Sequence, residues 1–186
     1  LLTVNGPVNF AAGSGRAIGL NGGNFTVNGP ISGSGRFLDP GSGNDAGVLT
    51  LTHPHSTFDG GVLFYTANRG ELVVDSTNAL ADTGVPSALG AGGDLSIQNR
   101  SVTLRGFTVP QISDRPWRIG GGASAQLIND GAAPLVLNGA VNNPYAAGTW
   151  NMQGGYHDYA QPNLVNGQIV DQPYALGVTA AAGVWR

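Results

Sequence analysis

Thr3-Val4-Asn5-Gly6-Pro7-Val8 recurs as Thr26-Val27-Asn28-Gly29-Pro30-Ile31 at an offset of 23, and Gly13-Ser14-Gly15-Arg16 recurs as Gly33-Ser34-Gly35-Arg36 at an offset of 20. Each unit alternates apolar with polar side chains for a short stretch and then bends at Asn-Gly. Both members of that pair tolerate the positive φ that tight turns use. Strand, corner and strand recurring every 20 to 25 residues or so suit one coil of a parallel β-helix, whose coils stack at about 4.8 Å.

The same grammar extends outward. Leu49-Thr50-Leu51-Thr52, Glu71 to Asp75, Asp94 to Gln98, Ser101 to Arg105, Ala125 to Asn129 and Pro134 to Asn138 read as short half-buried strands. Asn-Gly occurs five times, at 5–6, 21–22, 28–29, 138–139 and 166–167. No window carries an apolar period of 3.6 over three turns. All eight basic residues are Arg and Glu71 is the single Glu, so the side chains that usually build exposed helix faces are missing. The 31 Gly and 11 Pro among 186 residues therefore read as turn chemistry. The expected fold is all-β: a right-handed parallel β-helix over 1–186, with roughly eight rungs of about 23 residues and a length of about 40 Å.

A longer period overlies the short one. Leu135 to Val141 echoes Leu2 to Val8 at an offset of 133, Asn163 to Ile169 echoes Phe25 to Ile31 at 138, and Ala182 to Arg186 overlays Ala46 to Thr50 at 136. The expectation is a super-repeat of about 136 residues present in about 1.3 copies, approximately 1–134 and 135–186, cut from a longer array.

Composition excludes several classes. A formal charge of −3 with scattered Arg does not build a phosphate-binding surface, so nucleic acid is not the expected partner. Without Cys there is no disulfide framework, thiolate metal site or Cys nucleophile. No apolar run approaches the length of a membrane span or has the make-up of a signal peptide.

Between residues 25 and 105 the chain resembles the autotransporter-associated β-strand repeats of bacterial surface proteins. The residues that carry the likeness are Gly47-Val48-Leu49-Thr50-Leu51, Thr57-Phe58-Asp59-Gly60-Gly61, Gly70-Glu71-Leu72-Val73-Val74, Asn78-Ala79-Leu80 and Ala88-Leu89-Gly90-Ala91-Gly92. Gly29 to Gly35 looks like the segment that opens such a unit, and Gly183-Val184-Trp185 looks like the start of another. Two positions depart from the pattern: Ser56 stands where the family has Asn, and Phe37 to Ala46, with Asp39 and Asp45, replaces a Lys-containing link. The resemblance implies a scaffold at the cell surface, outer-membrane-associated or secreted, and it brings no catalytic residues with it.

Candidate sites are few. His53-Pro54-His55 places two imidazoles on alternating positions, but no third ligand follows at metal spacing, and the segment reads as a solvated loop. The aromatic stretch with Tyr145, Trp150, Tyr156, His157 and Tyr159 is the best glycan-contact candidate. Asp114, Asp130, Asp158 and Asp171 follow one another at intervals of 16, 28 and 13, and so miss the coil period that would gather them for polysaccharide cleavage. Gly41-Ser42-Gly43-Asn44-Asp45 is a faint, single echo of calcium-binding repeats; structural calcium rests on it alone, and no cofactor is expected. Asp114-Arg115-Pro116-Trp117-Arg118 reads either as a binding hot spot or, preferably, as a loop closing one rung with Trp117 laid over an end or groove. Asn5 with Asn28, and Asn138 with Asn166, are expected to stack their amides at a corner.

The expected function is structural: a non-catalytic segment of a secreted or surface β-solenoid fibre, acting as stalk, coat or adhesin. Its expected partners are adjoining repeats or further copies, with surface glycans as possible ligands. The alternative is a carbohydrate-binding or polysaccharide-cleaving β-helix of the lyase or tail-spike kind.

Overall fold

Eight short strands pair in parallel into one sheet that runs the length of the chain. They are Leu2–Val4, Phe25–Val27, Val48–Leu51, Glu71–Asp75, Ser101–Arg105, Ser124–Asn129, Gly148–Gln153 and Leu176–Ala180, and each opens one coil, numbered 1 to 8. The computed structural model describes residues 1–12, 16–17, 23–40, 47–65, 70–98, 100–120, 124–144, 148–173, 176–180 and 183–186. Along this face, here face 1, Leu2 stands opposite Phe25, Phe25 opposite Leu49, Leu49 opposite Leu72, Leu72 opposite Val102, Val102 opposite Leu127, Leu127 opposite Met152 and Met152 opposite Ala180. The coil length therefore varies along the stack, and the step from Leu72 to Val102 is the longest.

From face 1 the chain turns onto face 2 and then face 3. Face 3 is a seven-stranded parallel sheet made of Arg16–Ala17, Phe37–Pro40, Val62–Tyr65, Leu95–Gln98, Trp117–Gly120, Val141–Asn143 and Ile169–Pro173. Face 2 comes in two pieces. Val8–Phe10 pairs with Ile31–Gly33, and Gln111–Ser113, Leu135–Leu137 and Leu164–Val165 make a three-stranded sheet. Among the described residues, coils 1, 2, 5, 6 and 7 thus carry a strand on every face, whereas coils 3 and 4 cross face 2 without one. The fold is the expected β-solenoid, with eight coils on face 1, of which five are complete.

Period-two alternation puts the aliphatic residues inside. Leu49 and Leu51, Leu72 and Val74, Val102 and Leu104, and Leu127 line the bore from successive coils and are buried. Each such side chain contributes about 1.5 to 3 kcal/mol of transfer free energy. Outward positions carry polar ladders instead. Thr103 Oγ1 donates to Glu71 Oε1 at 2.6 Å, while Ser101 Oγ and Gln153 Nε2 both donate to Gln126 Oε1, at 2.9 and 3.0 Å. Pro7, Pro30, Pro110 and Pro134 each precede a face-2 strand, where a missing N–H costs no ladder bond.

The corners behave as expected in one respect and differently in another. Asn28 Nδ2 donates to Asn5 Oδ1 at 2.8 Å and Asn166 Nδ2 to Asn138 Oδ1 at 3.0 Å, which is the anticipated amide stack. The glycines after these Asn, however, are not among those with positive φ. They are required because a Cβ on Gly29, Gly139 or Gly167 would stand 1.8 to 1.9 Å from the carbonyl oxygen of the coil before. Close approach of stacked coils, rather than turn conformation, selects glycine here.

The repeat overlays also resolve differently. Arg16 pairs with Phe37, so its sequence echo Arg36 stands one place out of structural register, and Gly13 to Gly15 lie outside the described residues. Segments related by the longer period fall on different faces. Leu2–Val4 and Phe25–Val27 belong to face 1, whereas Leu135–Leu137 and Leu164–Val165 belong to face 2. Trp185 likewise bridges Asn163 next to face 2, while its counterpart Leu49 is on face 1. What recurs is a strand–Asn-Gly–strand corner, used first between faces 1 and 2 and later between faces 2 and 3.

Candidate functional site

The structure divides the aromatic candidates. Trp150 lies in Gly148–Gln153 with the same strand parity as Met152, so it points into the bore, fully buried and stacked on Trp117 at 6.3 Å between ring centroids. Tyr156 is buried as well, and its hydroxyl donates to the Gln161 carbonyl at 2.8 Å. Burial raises its phenol pKa, and the negative charge of Asp158 adds to the shift. His157 and Tyr159 face solvent, Tyr159 at 74 % exposure, while Tyr145 lies outside the described residues. The candidates therefore do not form one aromatic platform: for Trp150 and Tyr156 the hydrophobic interior outcompetes a surface role.

The carboxylates are occupied with backbone. Asp114 Oδ1 accepts the Thr83 N–H at 2.7 Å, Asp130 Oδ1 accepts the Gly155 N–H at 2.8 Å, and Asp158 Oδ1 accepts from Ala160 and Gln161 at 2.8 and 3.3 Å. The Thr83 bond holds the Asp114 carboxyl below its ordinary pKa. The side chain of Asp171 and the whole of Gly41 to Asp45 lie outside the described residues. His53 Nδ1 accepts the N–H of His55 at 3.2 Å and the two rings meet edge to face, so one imidazole nitrogen of the pair is committed to its own loop. Among the described residues no three His, Asp or Glu side chains gather to hold a metal ion.

The segment Asp114 to Arg118 is not an exposed hot spot. Arg115 and Trp117 are 0 % and 1 % exposed. The Arg115 guanidinium donates to the carbonyls of Leu89, Gly92 and Gly93 at 2.7, 2.6 and 3.2 Å, closing the loop of coil 4 from beneath. Burial pushes its pKa down to about 10, against the opposing pull of Asp94 and Asp114. Trp117 fills the core instead of lying over an end.

Two polar clusters leave no trace in the sequence pattern. Asp94, 8 % exposed, is held between Arg36 of coil 2 and Arg118 of coil 5, whose Nε lies 2.9 Å from Asp94 Oδ2. Gly61, at positive φ between Arg36 and Asp94 in the stack, lies close against Asp94: a Cβ there would stand 2.6 Å from the Asp94 carbonyl oxygen and 3.1 Å from its Oδ1. Asn129 and Asn163, both fully buried, join Nδ2 to Oδ1 at 2.6 Å, and Asn163 Oδ1 also accepts the Leu135 N–H at 2.8 Å. Arg105 pairs with Asp75 at 3.0 Å. Cation and amide alike thus act from coil to coil, along the solenoid axis. Comparison with known protein families, with curated proteins and with solved structures finds no match for this chain.

Proposed function

We propose that this chain is a structural segment of a secreted or cell-surface bacterial β-solenoid fibre, working as stalk, coat or adhesin, with adjoining repeats or further copies as its partners. The observation that carries this reading is the direction of the polar contacts. The amide stacks, the face-1 ladders and the Arg36–Asp94–Arg118 clamp all link one coil to another, and so give axial cohesion. The surface resemblance noted between residues 25 and 105 agrees with it.

Immunogold labelling of native material with an antibody to this chain tests the proposal. Thin fibres decorated along their length are expected. Label confined to discrete intracellular particles overturns the fibre reading, and release of unsaturated or reducing-end products from acidic polysaccharides overturns the non-catalytic one.

A further inference from the structure

The corner Asn-Gly pairs have the same local chemistry but differ in what the coil before does to the attacking nitrogen. Asn-Gly pairs convert spontaneously when the glycine amide nitrogen attacks the asparagine Cγ. The new N–Cγ bond closes a succinimide, and the side-chain nitrogen leaves as ammonia with the proton given up by the glycine nitrogen. Water then opens the ring at either carbonyl, leaving aspartate or isoaspartate. The step needs a glycine N–H that is free to lose its proton, and it is faster where the glycine also has room to move.

Gly167 N–H donates to Leu137 O at 3.1 Å and Gly29 N–H to Val4 O at 3.4 Å, so both nitrogens are tied to the coil before. At Asn138-Gly139 the pattern breaks. Asn138 N–H donates to Ser113 O at 2.7 Å, but among the described residues the Gly139 N–H has no acceptor. Asn138 itself is exposed. Gly139 is still packed, with the Arg115 carbonyl 1.9 Å from where a Cβ would be. Asn5-Gly6 lies in coil 1, which among the described residues stacks on coil 2 alone, and it stands apart from the other corners. Asn21-Gly22 lies outside the described residues.

We propose that Asn138-Gly139 is a spontaneous deamidation site inside the folded stack, whereas Asn28-Gly29 and Asn166-Gly167 are shielded by the hydrogen bonds of their glycines. The consequence is electrostatic as well as covalent. Ser113 pairs with Leu137, so Asp114 precedes Asn138 in the same corner column. A carboxylate at 138 faces that of Asp114 one coil away, and isoaspartate adds a backbone carbon where Gly139 has no spare room. Modification at this corner loosens the contact between coils 5 and 6.

Peptide mapping by mass spectrometry after incubation at mildly alkaline pH tests it, with the folded chain compared against the same chain in concentrated urea. In urea Asn5, Asn28, Asn138 and Asn166 should convert at similar rates, since each has glycine next. In the folded chain Asn28 and Asn166 should be slower than Asn138 by about tenfold, because a local opening must precede attack. Conversion of Asn138 no faster than Asn166 in the folded chain overturns the proposal, and so does equal conversion at all four sites.

Discussion

Face 1 and the face-2 crossing between coils 4 and 5 hold coils together with different atoms. On face 1 backbone pairs with backbone through eight consecutive strands. On face 2, coil 4 offers no strand, and the side chains of coil 5 take over the ladder. Gln111 Oε1 accepts the N–H groups of Ala79 and Leu80 at 2.7 and 3.2 Å, and Ser113 Oγ donates to Ala81 O at 2.9 Å. Beyond them two aspartates each accept a backbone N–H from the other coil: Asp114 N–H donates to Asp82 Oδ1 at 2.8 Å, and Thr83 N–H donates to Asp114 Oδ1 at 2.7 Å. Substitution of side chains for backbone lets the coil from Leu72 to Val102 run longer than its neighbours while face 1 keeps its register. The regular face is generic, and any aliphatic residue of suitable size serves it. The irregular face depends on particular residues.

The comparison is broken most directly at Arg115. Arg115→Met should cost about 3 to 5 kcal/mol, because it strips buried carbonyls of their donor without supplying another. The urea midpoint measures the loss, and hydrogen exchange should show it concentrated in residues 79–93. A cost below about 1 kcal/mol would mean that packing of Phe58, Leu80 and Leu89, rather than the guanidinium, closes this crossing. On face 1 the matching experiment is Leu127→Ala. A cavity in a fully buried position should cost about 2 to 4 kcal/mol, with exchange loosened evenly across coils 5 to 7 rather than in one loop.

Gln111→Leu is the sharper test of ladder replacement, since it nearly keeps the volume and removes the acceptor. Two buried N–H groups lose their partner, for an expected loss of about 2 kcal/mol. Protection of the Ala79 and Leu80 amides should fall while that of Val102 and Leu104 on face 1 holds. Equal protection in both proteins would show that water or a neighbouring group serves those amides without Gln111.

Legibility in the sequence follows the same division. Strands of face 1 are readable because alternation is local, and Glu71–Asp75 and Ser101–Arg105 fall where the pattern puts them. The amide stacks are readable because Asn5 and Asn28 sit at equal phase in a repeat. The inward burial of Trp150 is recoverable too: it has the parity of Met152, as Trp117 has that of Ile119 in Trp117–Gly120, but a cluster of aromatics suggests a surface until parity is applied. Asp94 with Arg36 and Arg118 has no such signal. Its partners come from coils 2 and 5, and their meeting depends on coil lengths that change along the stack. The crossing at 76–94 is obscured for the same reason, because its strand-like hydrogen bonds come from side chains that no periodicity registers.

Asp114 gives the smallest and most specific effect. Its carboxyl is held below the ordinary value of 3.8, chiefly by the Thr83 N–H. A depressed folded pKa means that the unfolded chain takes up the proton first. The contribution of Asp114 to stability is therefore full above about pH 3.8 and is lost as pH falls through the folded value. Asp114→Asn keeps an oxygen to accept from Thr83 but cannot titrate. Urea midpoints of the two proteins should differ by a small constant at neutral pH, in favour of the carboxylate, and converge as pH falls below 3.8. Solvent exposure at this rim keeps the difference modest and sensitive to salt. Parallel curves down to the acid limit would mean that the oxygen matters and its charge does not. The ladder substitutes on face 2 would then act as neutral acceptors throughout, equivalent to the peptide carbonyls that they replace.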